Sequence, residues 1–332
     1  MIWIQDLPRH RRIGLIDIGT NTIRFLIGEK RNRDSYQILL HEVITTRLGE
    51  GLSQTGKIQD SGMKRTLAGL RKFQEIAREY QVDLLEAYAT AWARKAENTD
   101  EMLSELARIN MPVWILTGEE EALMAYESVK LMEPEFSTGW ILDIGGGSTE
   151  VLEIKEGNLS FVSSIPIGAV VLTEEFFKKD SPESEIKKAE MRVLEEFNFL
   201  GLSSSNHDFP SSVSFSEVNV QGMKSMIALG GTGACLAGLK VEIPPSHPDF
   251  FQKVQGLFLS RDWIEEEFSH LSSLSLEQRK NLPGMEAERA DILAAGTLIL
   301  SAFLKRINAP GVKICLYSFI HGILANRLLF HA

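Results

Sequence analysis

The sequence predicts an α/β fold made of two halves of like design, and three observations carry that reading. An apolar run ending in an acid and a small polar turn occurs twice, extended and helical patterns alternate after each occurrence, and 332 residues exceed one average domain. Gly14-Leu-Ile-Asp17-Ile18-Gly19 and Trp140-Ile-Leu-Asp143-Ile144-Gly145 share the order apolar run, Asp, Ile, Gly, polar turn, second apolar run. Their offset, 143 − 17 = 126 residues, is about a domain length, so duplication explains the pair better than chance.

In the first half, Ile13–Ile18 and Ile23–Ile27 read as strands and Tyr36–Thr46 as a third, a meander rich in Ile, Leu and Val. Met63–Tyr80 is helical, with Leu67, Leu70, Phe73 and Ile76 at three-residue steps. Leu84–Thr90 (strand), Thr99–Ile109 (helix), Val113–Thr117 (strand) and Glu119–Met132 (helix) follow. The second half opens with strands Trp140–Asp143, Val151–Ile154 and Leu159–Ile165, then a helix Glu183–Phe199 started by Ser181-Pro182 as N-cap and first-turn pair. Ser203–Gln221 has few apolar anchors and reads as an irregular excursion. Met226–Leu229 is a strand leading through a Gly-rich turn into a helix ending near Leu239. Arg261–His270 and Ala290–Ile307 are helical, Val312–Leu316 a strand, and Ser318–Phe330 a last amphipathic helix. The expected domains are 1–133 with 318–332, and 134–317.

A net charge of −10 argues against sequence-independent nucleic-acid binding, which depends on clustered Lys and Arg. No apolar run reaches the 18 residues of a membrane span, and MIWIQDLPRHRR has its basic residues after its apolar ones, the wrong order for a signal peptide. The expected location is the cytoplasm, away from membranes, with Cys235 and Cys315 as reduced core residues.

Chemistry concentrates in a few stretches. In DIGGGSTE, Gly145, Gly146 and Gly147 suit a tight hairpin capped by Asp143, or a cradle of backbone N–H groups for phosphate oxygens beside an acid that could hold hydrated Mg²⁺. The Walker-type phosphate loop is missing, and GGTGACLAG fails the dinucleotide fingerprint at Leu236. DIGTNT supplies Asp17 with Thr20, Asn21 and Thr22, a matching set of donors. In TGEEEA, Thr117 and Glu120 form a capping box, and a helix start favours acids in general. Glu121 is least explained that way and could serve as a general base for water. Arg94, Lys95 and Arg47 are solvated surface unless a site claims them.

DIGTNTIR, RLGEGL, ATAWARKAEN, TGEEEA, DIGGGSTE, IPIGAVVLTEEF, GGTGA and AERADILAAG, in that order, resemble the exopolyphosphatase and guanosine pentaphosphate phosphatase family, within the actin-like superfamily of sugar kinases and Hsp70. The resemblance implies two duplicated actin-like (ribonuclease H-like) domains with a cleft between them. It implies Mg²⁺ (or Mn²⁺) at Asp17 and Asp143, and phosphate binding by Thr20, Asn21, Thr22, Arg94, Gly145, Gly146, Gly147 and Ser148. Glu121 takes the place of the catalytic base and Glu150 that of an acid placing metal or water. The implied activity is release of terminal phosphate from inorganic polyphosphate. Guanosine pentaphosphate (pppGpp) hydrolysis is the alternative, and a weakly active binding regulator a further one; a homodimer is expected. Three departures bear on substrate choice: Val171 stands where the family has Arg, Phe319-Ile-His-Gly322 replaces L-R-E-G, and DIGTNT has Thr for Ser.

Overall fold

A computed structural model describes residues 11–177, 183–200 and 225–330; Ser181-Pro182 and the 203–221 excursion lie outside them. The chain forms two compact units, one of residues 1–134, 145–148 and 317–332, the other of 135–144 and 149–316.

The first unit holds strands β1 (Arg12–Ile18), β2 (Thr22–Lys30), β3 (Tyr36–Thr45), β4 (Leu84–Ala89) and β5 (Val113–Ile115) in the order β3-β2-β1-β4-β5. The second holds β6 (Gly139–Ile144), β7 (Thr149–Lys155), β8 (Asn158–Ile165), β9 (Ser225–Leu229), β10 (Phe258–Ser260) and β11 (Gly311–Ile314) in the order β10-β11-β9-β6-β7-β8. Each sheet is an antiparallel three-strand meander whose first strand also pairs in parallel with the next strand of its half, β1 with β4 and β6 with β9. Strand β10 is an addition at the edge of the second sheet.

The repetition extends to individual bonds. In one hairpin the Gly19 N–H donates to Thr22 O, and in the other Gly145 N–H donates to Ser148 O, both at 3.0 Å. The register slips between Ile27 and Gly28 in the first meander and between Glu153 and Ile154 in the second, again 126 residues apart (153 − 27). A bulge at the same step bends each meander alike.

The β-branched runs make continuous strands because both faces are covered. Ile16, Ile18, Ile23 and Phe25 pack with Leu70, Phe73 and Trp92 in the first core; Leu142, Val151, Phe197, Leu236 and Phe303 anchor the second. The Leu293–Ile307 helix is buried almost all round, and it starts later than Ala290 because Ala287–Arg289 forms a 3₁₀ turn. The last helix is regular over Phe319–Ala325 and widens into a π-type turn over Asn326–Phe330. Short elements such as Ala91–Lys95, Ala169–Phe176 and β10 were not anticipated, since fewer than three turns give no period to read. No helix of the described residues is long and apolar enough to cross a membrane.

The C-terminal segment is tied into the first unit by charge. Arg327 donates Nε and Nη2 to the two oxygens of Glu86 at 3.2 and 3.0 Å, and Tyr88 Oη donates to Glu86 Oε2 at 2.8 Å. Both charged side chains are about 10% exposed. Removing one partner of a buried pair strands the other, so Arg327→Ala is expected to lower the unfolding free energy by about 3 kcal/mol. Urea denaturation checks this, and Glu86→Gln on top should recover part of the loss.

Candidate active site

In the first unit, the turn between β1 and β2 collects buried polar atoms. Asp17, Thr20, Asn21 and Thr22 are all nearly inaccessible. Backbone bonds hold the turn: Thr46 and Arg47 N–H groups donate to Asn21 O at 3.0 and 2.8 Å, and Gly49 N–H to Thr20 O at 2.8 Å. The RLGEGL loop therefore braces the turn, with Arg47 itself in the left-handed region at φ 51°. Three side-chain atoms there, Asp17 Oδ1, Thr20 Oγ1 and Asn21 Nδ2, are buried without a hydrogen-bond partner. Such orphans are rare in native proteins and mark a place where a ligand, ion or water completes the set.

Asp17 Oδ2 accepts from Arg24 Nη1 at 2.8 Å. Burial pushes the Asp17 carboxyl above the usual carboxylate range, and the Arg24 charge and hydrogen bond pull it back in part. Arg24 stands directly opposite Asp17 across the hairpin.

Arg94 and Glu121, far apart in sequence, meet. Arg94 Nη1 donates to Leu116 O at 2.7 Å and to Glu121 Oε2 at 3.2 Å, and Glu121 is buried. The capping box of Thr117 and Glu120 is present, and Glu121 takes no part in it. Gly145–Ser148 belongs to the same unit. Neither Gly145 nor Gly147 has positive φ; the requirement at Gly147 is close approach, since a Cβ there would lie 2.6 Å from Thr20 Oγ1 and 2.9 Å from Ala91 Cβ. Lys95 Nζ donates to Gly147 O at 2.5 Å.

In the second unit, Asp143 and Glu150 are buried and directly opposite each other in the β6–β7 hairpin. They occupy the positions of Asp17 and Arg24 in the first, so one repeat pairs acid with base and the other acid with acid. Ser164 Oγ donates to Glu150 Oε1 at 2.8 Å. Gly230 follows β9 at φ 86°, where a Cβ would sit 2.7 Å from Asp143 Oδ1. Beyond it, buried Arg289 packs on Gly231 and pairs with Glu286 at 2.8 Å.

Arg24, Lys95 and Arg289 carried no role in the sequence reading. Arg24 could have been found by counting register, seven residues past Asp17 as Glu150 is past Asp143. Lys95 and Arg289 depend on tertiary placement and leave no local signal. Of the departures, Val171 is half-buried on the Ala169–Phe176 helix. His321 is buried, accepts the Ser318 N–H at Nδ1 (3.1 Å) and stacks on Tyr317 with ring centroids 4.1 Å apart. Burial holds its imidazole well below the usual range, with His41 and Arg24 adding to the effect, so a neutral ring replaces the family's acid.

The profile of the Ppx/GppA phosphatase family matches residues 26–331. Exopolyphosphatase 1 of Mycobacterium tuberculosis is 26% identical over 332 residues, spanning 96% of this chain and 88% of that protein. The crystal structure of the Aquifex aeolicus Ppx/GppA family member aligns with a TM-score of 0.73 at 27% identity, covering 96% of this chain and 98% of the other. An exopolyphosphatase structure from Cytophaga hutchinsonii aligns at 0.81 and 24% identity, covering 96% and 97%, a likeness of fold. With the two sheet orders, these matches give the fold as two actin-like α/β domains, as the motifs implied.

Proposed function

Because the chain belongs to the Ppx/GppA phosphatase family, we propose that it releases terminal phosphate from inorganic polyphosphate, with water as the nucleophile. The observation that supports this most is the trio of buried, unpartnered polar atoms on Asp17, Thr20 and Asn21 in the unit that also holds Gly145–Ser148 and the Arg94–Glu121 pair. Phosphoryl transfer to water asks for positioning and charge stabilisation more than covalent chemistry, and these groups are of the right kinds.

In this reading, Thr20, Asn21 and Thr22 with the Gly145, Gly146, Gly147 and Ser148 backbone hold phosphate oxygens. Arg94 adds a planar cation suited to bridging oxygens, and in doing so keeps the Glu121 carboxylate turned toward the substrate. Glu121 orients the attacking water and takes its proton, while Glu150, held by Ser164, helps place metal or water.

The donor set fits a hard divalent cation, Mg²⁺ or Mn²⁺. In the first unit Asp17 keeps a buried oxygen unpartnered, and in the second Asp143 and Glu150 stand opposite each other, all oxygen donors of the kind such a cation takes. Among the described residues no group of three or more His, Cys, Asp or Glu could hold a metal, so water and phosphate oxygens would complete the shell, as Mg²⁺ prefers. Held by such donors, the cation would neutralise charge on the phosphate oxygens.

The test is phosphate release by the purified protein with Mg²⁺, given long-chain polyphosphate and guanosine pentaphosphate in parallel. Release mainly from polyphosphate is the expected result. Release mainly from the nucleotide would move the activity to the guanosine pentaphosphate branch, and release from neither would leave a binding regulator.

A further inference from the structure

We propose that Lys95 is a positioning residue for the Gly145–Ser148 loop: its ammonium holds the Gly147 carbonyl and so sets which way the Gly147–Ser148 peptide faces. That the loop then meets a phosphate rests on the function proposed above.

Three features of the first unit carry the inference. The ammonium donates to Gly147 O at 2.5 Å, a charge-assisted bond to a carbonyl in a loop built of small residues. The lysine projects from a fixed base, since the Ala91–Lys95 helix is held by Trp92 Nε1 donating to buried Ile18 O at 2.6 Å and by Thr99 Oγ1 donating to Ala93 O and Ala96 O at 3.1 and 2.8 Å. The same helix touches the same glycine a second time, with Ala91 Cβ close enough to forbid any side chain there. Lys95 is itself exposed, and these contacts are what set it apart from a lysine that only meets solvent.

The consequence follows from peptide geometry. In a planar trans peptide the C=O and the following N–H point in opposite directions, and the described chain has no cis bond. Holding Gly147 O against Lys95 therefore turns the Ser148 N–H away from the lysine. A loop of glycines pays the highest entropy for any single conformation, so the lysine adds to the Gly145 N–H to Ser148 O bond in fixing that choice. Adjacent residues of one short helix thus divide their charges: Arg94 goes to Glu121, and Lys95 to the loop.

Lys95→Met is expected to move the Ser148 and Gly147 amide signals in the ligand-free protein, read by ¹H–¹⁵N NMR, and Lys95→Arg to return them most of the way. In a Glu121→Gln background, where turnover does not interfere, tripolyphosphate affinity measured by calorimetry should fall about tenfold for Lys95→Met and recover for Lys95→Arg. Weakened affinity without any shift in the ligand-free amides would mean that Lys95 touches the anion itself, and would overturn the positioning role. Unchanged shifts with unchanged affinity would overturn it as well, and in an active enzyme would leave the proposed hydrolysis standing. Shifted amides and weakened tripolyphosphate binding in a protein that releases no phosphate would do the reverse.

Discussion

Glu121→Gln is expected to lower kcat for polyphosphate hydrolysis by about three orders of magnitude while leaving KM and thermal stability close to wild type. The amide keeps the volume of the buried side chain, and its oxygen can still accept from Arg94 Nη1, so packing and the helix start are preserved. Thr117 and Glu120 cap that helix without help from Glu121. What the substitution removes is the capacity to take a proton, and the loss should therefore appear in kcat rather than in binding. Continuous phosphate detection under saturating substrate gives the number. A variant retaining more than a tenth of wild-type turnover would show that water is activated by another group.

The second large effect concerns the acid pair of the other hairpin. Asp143→Asn should cut activity at least a thousandfold by removing the proposed cation ligand, while the amide, of nearly the same shape, leaves the stability of the metal-free protein within about 0.5 kcal/mol of wild type. Lost activity with stability kept is the signature of a residue retained for function. Thermal unfolding in chelator reads one half, and phosphate release over a series of Mg²⁺ concentrations the other. A variant both inactive and strongly destabilised would make Asp143 a structural residue instead.

The fold was largely readable because its strands are long apolar runs whose faces are both covered, and because the Asp-Ile-Gly turn occurs twice. Period-2 and period-3.6 patterns then placed Met63–Tyr80 and Glu183–Phe199 close to the observed Asp60–Glu79 and Glu183–Phe199. Short helices escaped for want of length. The site was legible where it is local: the turn at Asp17–Thr22 and the glycine loop announce themselves by composition. Its connections were not. That Arg94 lies on Glu121 and that Lys95 reaches Gly147 are facts of tertiary placement, which neighbours in sequence do not encode; the Arg24–Asp17 pair was open to a count of register.

The first unit closes only with its third segment, residues 317–332, whose Arg327 completes the pair with Glu86. A polypeptide leaving the ribosome at roughly 5 to 20 residues per second usually folds its N-terminal domain first. Here that half waits for residues 317–332, and the second unit, whose last residue is Leu316, is whole before the first can be. Until Arg327 has been made, Glu86 is an acid without its base, and the amino-terminal half stays unfinished. Synthesis as far as Arg327 is thereby made a condition for a competent first half.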